Sequence, residues 1–186
     1  MRKSYKLAKR AIDVGLSLII LISISPIMVI ILLINQLGFN RIFFLQKRVG
    51  QHGKSFTIIK LCTMDGKGHI GPFHGFLRHT GIDEIPQLVN ILKGEMSLVG
   101  PRPILIEYIN HLNQDEKNRF LVKPGITGYA QIMGRNKLSW KQKFVYDLEY
   151  VNNQSLFNDL MILIKTPYKI FKSGNIQAQS LIDERN

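Results

Sequence analysis

From Val14 to Ile34 the chain runs 21 residues without a charge, most of them Ile, Leu or Val. As one helix this run is about 30 Å long, the thickness of a bilayer core. A helix apolar on every side needs a larger body of protein around it than 186 residues supply, so lipid is the better solvent for it. A cleaved leader fits less well, because the run is long and no small-residue cleavage site follows.

Two features separate the run from a plain span. Ser23-Ile-Ser-Pro26 sits at its middle. Proline there removes a helical hydrogen bond and kinks the chain, with serine hydroxyls nearby to satisfy the freed carbonyl. The flanks are also basic on both sides: Arg2, Lys3, Lys6, Lys9 and Arg10 before, Arg41, Lys47 and Arg48 after. Basic flanks stay in the cytoplasm, which would put both ends on one face. A helix broken at Ser25 and Pro26 that enters and leaves one leaflet satisfies both features, whereas a single span satisfies the length. The residues alone leave both topologies open. Residues 1–40 thus read as a basic N-terminus with a membrane helix, and residues 41–186 as a cytoplasmic domain forming one unit with it.

The formal charge is +12, and it is uneven. Within residues 1–82 only Asp13 and Asp65 are acidic, against twelve Lys and Arg. Such a field suits anionic partners: lipid headgroups, phosphorylated substrates or nucleic acid. Nucleic acid is the weakest of these, since basic stretches interleaved with aromatics are missing. The single Cys62 excludes an internal disulfide, and the five histidines show no zinc-type spacing.

Ile42–Leu45 and Ser55–Leu61 are β-prone runs joined by Gly50-Gln-His-Gly53, which predicts a hairpin. Gly50-Gln-His-Gly-Lys-Ser55 is two residues short of a P-loop and leads into a strand, not a helix. Gln46, Arg48, Lys54 and Lys60 make the hairpin rich in donors, which suits a basic membrane-facing patch. Residues 65–79, with four glycines and Pro72, read as a loop. Ile104–Val122 reads as a helix ending at Lys123-Pro-Gly125, Ile126–Gln131 as a short extended piece, and Leu138–Asn152 as an amphipathic helix. Leu156–Lys172 is an apolar helix holding Pro167, with Lys165, Lys169 and Lys172 on its other side. It suits a membrane surface and core packing equally. The tail from Gly174 is polar, which predicts a loose terminus. The fold class is therefore α+β and mostly helical: a membrane helix, a small β-hairpin and surface amphipathic helices.

The densest chemistry lies between Thr80 and Pro103. Asp83 and Glu84 are adjacent carboxylates in what reads as the first turn of a helix, followed by Ile85, Leu88, Val89 and Leu92 on one face. Taken locally, an Asp in this place is a helix cap far more often than a nucleophile. The setting adds a membrane anchor and dispersed cations, Arg48, Lys60, Arg78, Arg102 and Arg135. Adjacent carboxylates can divide labour, one binding Mg²⁺ and the other attacking phosphorus. Phosphoryl transfer asks mainly for positioning and positive charge.

Several motifs together carry a resemblance: Lys9-Arg-Ala-Ile-Asp13, Ser25-Pro26, Gln46-Lys-Arg-Val-Gly50, Asp83-Glu-Ile-Pro-Gln-Leu88, Leu92-Lys-Gly-Glu-Met-Ser-Leu-Val-Gly-Pro-Arg-Pro103, Lys123-Pro-Gly-Ile-Thr-Gly128 and Gly134-Arg-Asn136. In this order, over nearly the whole chain, they resemble the bacterial sugar transferases, the monotopic phosphoglycosyl transferases that start glycan assembly on polyprenyl phosphate. The resemblance implies attack of Asp83 on the β-phosphate of a UDP-sugar, release of UMP, and passage of the phosphosugar to polyprenyl phosphate. It implies Glu84 as the Mg²⁺ ligand and Arg48, Lys60, Arg78, Arg102, Arg135 and Asn136 as substrate contacts. It further implies a re-entrant helix broken at Ser25 and Pro26, an inner-membrane location with the catalytic domain on the cytoplasmic face, and downstream glycosyltransferases as partners. A homodimer is compatible with it, and an N-acetylated hexosamine is the expected sugar, with a plain hexose as alternative.

The chain departs from the family pattern where Cys62 replaces a basic residue, where Gly81-Ile82 replaces Ser-Leu before the carboxylates, and in a short loop after Met64. The competing reading is a non-enzymatic basic module binding anionic lipid or nucleic acid, which has no need of the carboxylates.

Overall fold

The computed structural model describes residues 3–38, 41–134 and 137–172, and the tail from Gly174 lies outside them. The apolar run belongs to one long helix, α1 (Lys3–Gly38), which continues through Pro26. Proline at 26 leaves the Ile22 carbonyl without its amide partner, and the Ser25 hydroxyl donates to that same oxygen at 2.8 Å. Ser25 and Pro26 thus lie within one helical span, with the freed carbonyl satisfied locally. By length and composition α1 can cross a membrane, and little of its apolar window is buried.

One stripe of α1 nevertheless faces the protein along its length. Asp13, Ser17, Ile31 and Asn35 are buried, and Leu21, Met28 and Leu32 pack against the core between them. These positions fall along one face of a helix. Arg10 donates to the carbonyls of Ile91 and Leu92. The Asp13 carboxylate accepts from the Ser97 hydroxyl (3.0 Å) and the Leu98 amide (2.9 Å). Near the far end Asn35 donates to the Cys62 carbonyl (3.0 Å) and meets the His74 ring nitrogen (3.1 Å). At the near end Tyr5, Lys9 and Tyr150 converge on the Asp159 carboxylate.

The predicted hairpin is present. β1 (Phe43–Val49) pairs antiparallel with β2 (Ser55–Leu61), Phe43 opposite Leu61 and Val49 opposite Ser55. The Gly-rich stretch that read as a loop contains α2 (Pro72–Thr80). Pro72 opens this helix, where its missing amide costs nothing, and Gly81 closes it with φ of 77°. Glycine is suited to that left-handed corner. A 3₁₀ turn (Ile82–Glu84) then leads to α3 (Gln87–Lys93).

β3 (Ser97–Val99) lies parallel to β4 (Gly125–Thr127). Gly100 and Gly125 approach so closely that a side chain on either would collide with the other's backbone. The expected helix over 104–122 is instead a 3₁₀ segment (Ile106–His111), a single turn α4 (Gln114–Lys117) and another 3₁₀ turn (Asn118–Leu121). Asn113 is the cause. Its side chain accepts from the Glu116 amide, while the Glu116 carboxylate accepts from the Asn113 amide, a capping box that forces a new start. After β4 come α5 (Tyr129–Met133), within the piece read as extended, and the two expected helices, α6 (Trp140–Asn152) and α7 (Leu156–Lys172).

α7 buries Asp159 and Ile162 and leaves Phe157, Leu160, Ile164 and Tyr168 exposed. A contiguous apolar patch of this kind marks a surface that meets a partner or a membrane. Phe73 and Phe76 of α2, and Phe43, Phe44 and Leu45 of β1, are exposed as well.

Asp13→Ala should test how α1 is held. It would leave the Leu98 amide and Ser97 hydroxyl buried without their acceptor, and should cost about 3 kcal/mol. Thermal unfolding in detergent reads it, and a shift within error of wild type would show that the seam does not bear on stability.

Candidate active site

Three segments distant in sequence bring the site together. β2 delivers Lys60, the 3₁₀ turn delivers Asp83 and Glu84, and the turn after β3 delivers Arg102. Glu84 Oε1 accepts from Lys60 Nζ at 2.6 Å and from Arg102 Nη2 at 2.6 Å, while Arg102 Nη1 reaches Oε2 at 3.3 Å. Burial alone would raise the Glu84 carboxyl, but Arg102 and Lys60 outweigh it and hold the group well below the usual carboxylate range. The same carboxylate raises the Arg102 guanidinium. Burial lowers Lys60, which stays partnered with Glu84.

Asp83 has the opposite surroundings. It is 8 % exposed and forms no hydrogen bond or ion pair among the described residues. Burial first, then the neighbouring Glu84 charge, pushes its carboxyl up to about 6, against the pull of Lys60, Arg102 and Arg78. Asp83 is not a helix cap: Gly81 occupies that place, no side-chain cap bond forms, and α3 begins only after Pro86. The cap role anticipated from sequence is thus corrected, and the dyad splits into one ion-paired and one unpaired carboxylate.

Arg102 is fixed by its backbone. Val99-Gly-Pro-Arg-Pro103 contains two prolines without amides, so its carbonyls look elsewhere for partners. Val99 accepts from the Tyr150 hydroxyl, Pro101 from the Gly125 amide, Arg102 from Arg119 Nη2 at 2.7 Å, and Pro103 from Arg48 Nη1 at 3.2 Å. Arg48 therefore lies at the site with its fork spent on Pro103 and on Gln46 Oε1. Burial, and then Arg102, lowers it to about 10. Arg78, on the last turn of α2, is exposed and forms no ion pair among the described residues. Arg135 and Asn136 lie outside the described residues.

Sequence reading missed Arg119 and Asp147. They form a buried pair (2.6 Å), with the guanidinium 5.3 Å from the Phe144 ring centre. Burial raises the Asp147 carboxyl while Arg119 opposes it. No local pattern marks the pair, because its members sit on different elements 28 residues apart. Asn90 was also missed, although it lies inside the motif that named Asp83.

For Mg²⁺ the residues fit in a limited way. Among the described residues no group of three or more His, Cys, Asp or Glu could cage an ion. Glu84 Oε2 carries only the long contact to Arg102, so one carboxylate oxygen keeps capacity beside Asp83. One or two carboxylates completed by substrate phosphate oxygens and water is how Mg²⁺ is commonly held.

The model of the bacterial sugar transferase family matches residues 4–173. The chain belongs to that family. This sugar transferase is 44% identical to the uncharacterized sugar transferase EpsL of Bacillus subtilis over 181 residues, covering 91% of its own length and 90% of that protein. It is 36% identical to the UDP-glucose:undecaprenyl-phosphate glucose-1-phosphate transferase of Escherichia coli, and 33% identical to the undecaprenyl-phosphate galactose phosphotransferase of Salmonella typhimurium. Each of these two alignments covers 89% of the sugar transferase and 40% of the relative. The chain thus spans about two fifths of the length of those two proteins.

The raised Asp83 carboxyl makes a prediction about folding. Its value in the fold, about 6, lies above the 3.8 of an unperturbed aspartate. The fold therefore favours the protonated form, and that stabilisation is present below about pH 4 and lost as pH rises through 6. Asp83→Asn should raise stability by about 3 kcal/mol at pH 8 and by well under about 1 kcal/mol at pH 4. Thermal melts at the two values decide it; equal effects at both would refute the burial argument.

Proposed function

We propose that the chain is a membrane-bound phosphoglycosyl transferase that moves a sugar-1-phosphate from a UDP-sugar to polyprenyl phosphate through a covalent intermediate on Asp83. One observation carries this reading: a buried, unpaired carboxylate beside a second carboxylate that two cations hold ionised. A module that only bound anionic lipid would gain nothing from burying Asp83 at a cost to its own stability. The names of the Escherichia coli and Salmonella relatives support the same reaction class.

In the first step an Asp83 oxygen attacks the β-phosphorus of the UDP-sugar. The new Oδ–P bond forms as the bridging P–O bond breaks, and UMP leaves with the bridging oxygen. In the second, a phosphate oxygen of polyprenyl phosphate attacks the same phosphorus, the Oδ–P bond breaks, and the Asp83 carboxylate returns. Near neutral pH Asp83 is mostly ionised and needs no separate base. Arg102 spends two donors on Glu84 and, half-exposed, turns others toward the phosphoryl group. Arg78 supplies a second cation from α2, Lys60 fixes Glu84, and Arg48 holds the turn that carries Arg102. Glu84 would offer Oε2 to Mg²⁺, whose bound charge would offset that of the diphosphate.

The membrane side of the proposal rests on α1 and on the outward apolar faces of α7, α2 and β1. Asp13 near one end of the apolar run and Asn35 at the other both bond to the same domain. A helix entering and leaving one leaflet keeps that domain on a single face, here taken as the cytoplasmic face of the inner membrane. The polyprenyl phosphate headgroup then meets Arg102 and Asp83 at the lipid boundary.

Purified protein in lipid nanodiscs, given Mg²⁺, polyprenyl phosphate and a panel of UDP-hexoses and UDP-N-acetylhexosamines, should release UMP with one of them. Asp83→Asn should lower the rate at least about a thousandfold. Wild-type kcat/KM should fall as pH drops through 6, since protonation removes the nucleophile. Release at the wild-type rate by Asp83→Asn would end the assignment. For topology, Gly38→Cys in a Cys62→Ser background should react with an impermeant reagent only from the cytoplasmic side; labelling from outside would mean a spanning helix.

A further inference from the structure

We propose that Asn90 is a positioning residue for the Lys60–Glu84 pair. Asn90 lies on α3 and is fully buried, a costly place for an amide unless every polar atom is satisfied. Its Oδ1 accepts from the Ile59 amide at 3.2 Å, and its Nδ2 donates to the Thr57 carbonyl at 2.8 Å and to Glu95 Oε2 at 2.7 Å. Thr57 and Ile59 are alternate residues of β2, so both partner groups point off the same strand edge. That edge faces away from β1, with which β2 pairs on its other side. The Asn90 amide takes the place that a peptide group of a third strand would take, and it fixes α3 at one register along β2.

Ile59 is bonded directly to Lys60, and Asn90 follows Glu84 by six residues through the 3₁₀ turn and the start of α3. One side chain therefore ties together the two backbones that carry the ion pair. Among the described residues, β2 and the Asp83–Glu84 turn otherwise meet through apolar contacts, which do not fix register, and through the ion pair itself. Asn90 touches neither substrate nor reacting atoms. It acts by setting where the Lys60 ammonium stands relative to Glu84, and so how the dyad divides its roles.

The inference deepens the phosphoglycosyl transferase reading and rests on it for its kinetic arm, so the test has an arm free of turnover. The first readout is the Lys60 ammonium resonance in protein with isotope-labelled lysine, in nanodiscs, with hydrogen exchange of the Ile59 amide alongside. The variants are Asn90→Ala, Asn90→Asp, which keeps the shape and the acceptor but loses both donated bonds, and Ile91→Val as a buried apolar control on the same helix. Both Asn90 variants should speed exchange at Ile59 and broaden or lose the Lys60 signal, while Ile91→Val keeps both. The second readout is UMP release in a double-mutant cycle with Lys60→Met. Asn90→Asp should cost on the order of tenfold in kcat, and little further once Lys60 is gone. An unchanged Lys60 signal, or losses that multiply fully in the double variant, would overturn the role and leave Asn90 as core packing. Loss of the Lys60 signal in a protein that releases no UMP from any UDP-sugar would sustain Asn90 and sink the transferase reading instead.

Discussion

The Glu84 carboxylate is the point on which the site depends. Lys60 and Arg102 share one of its oxygens, so a hairpin, a tight turn and a proline-bounded loop are joined at a single atom. Lys60 and Glu84 are largely screened from water while Arg102 is half-exposed, so losing Lys60 strands the carboxylate more than losing Arg102 does. The same arrangement separates two carboxylates adjacent in sequence. Glu84 takes the cations and stays ionised, while Asp83 is left desolvated and without a bond of its own. An identical pair on a solvated surface would titrate alike and share one character.

Around that point the structure spends its polar groups on backbone. Arg48, Arg119 and Tyr150 each donate to a carbonyl in or before the turn that carries Arg102, and Asn90 does the equivalent for β2. Side chains that satisfy main-chain groups leave few alternative positions for the residues in between. The motif's length, from Asp83 to Pro103, follows from this: it contains the carboxylates, the helix that registers them, the strand that meets α1, and the cation that returns to the beginning.

Much of this could be read from the sequence because it is periodic or punctuated. The uncharged run, the alternating β1 and β2 around Gly50–Gly53, and the apolar stripes of α6 and α7 all appear where their patterns place them. What could not be read is what depends on distant partners. α2 was hidden because glycines at 66, 68, 71 and 75 count as loop residues, although Gly71-Pro72 is also a helix start. The stretch 104–122 has helical composition, and only the Asn113–Glu116 box shows why it divides. Asp83 has the residue type of a cap, and only the left-handed Gly81 before it shows that the place is taken. Arg119 and Asp147 leave no local trace. The outward apolar face of α7 was an open choice in sequence, since a stripe does not say which solvent it meets.

The seam along α1 bears on how the protein is made. A ribosome delivers α1 before residues 62 to 98, which hold the partners of Asn35 and Asp13. For that interval the helix carries a buried-type carboxylate and amide with no partner, which lipid tolerates poorly away from its surface. Until those residues are made, water is a better partner for both groups than lipid is. The strand that relieves Asp13 is also the strand that leads into the turn bearing Arg102.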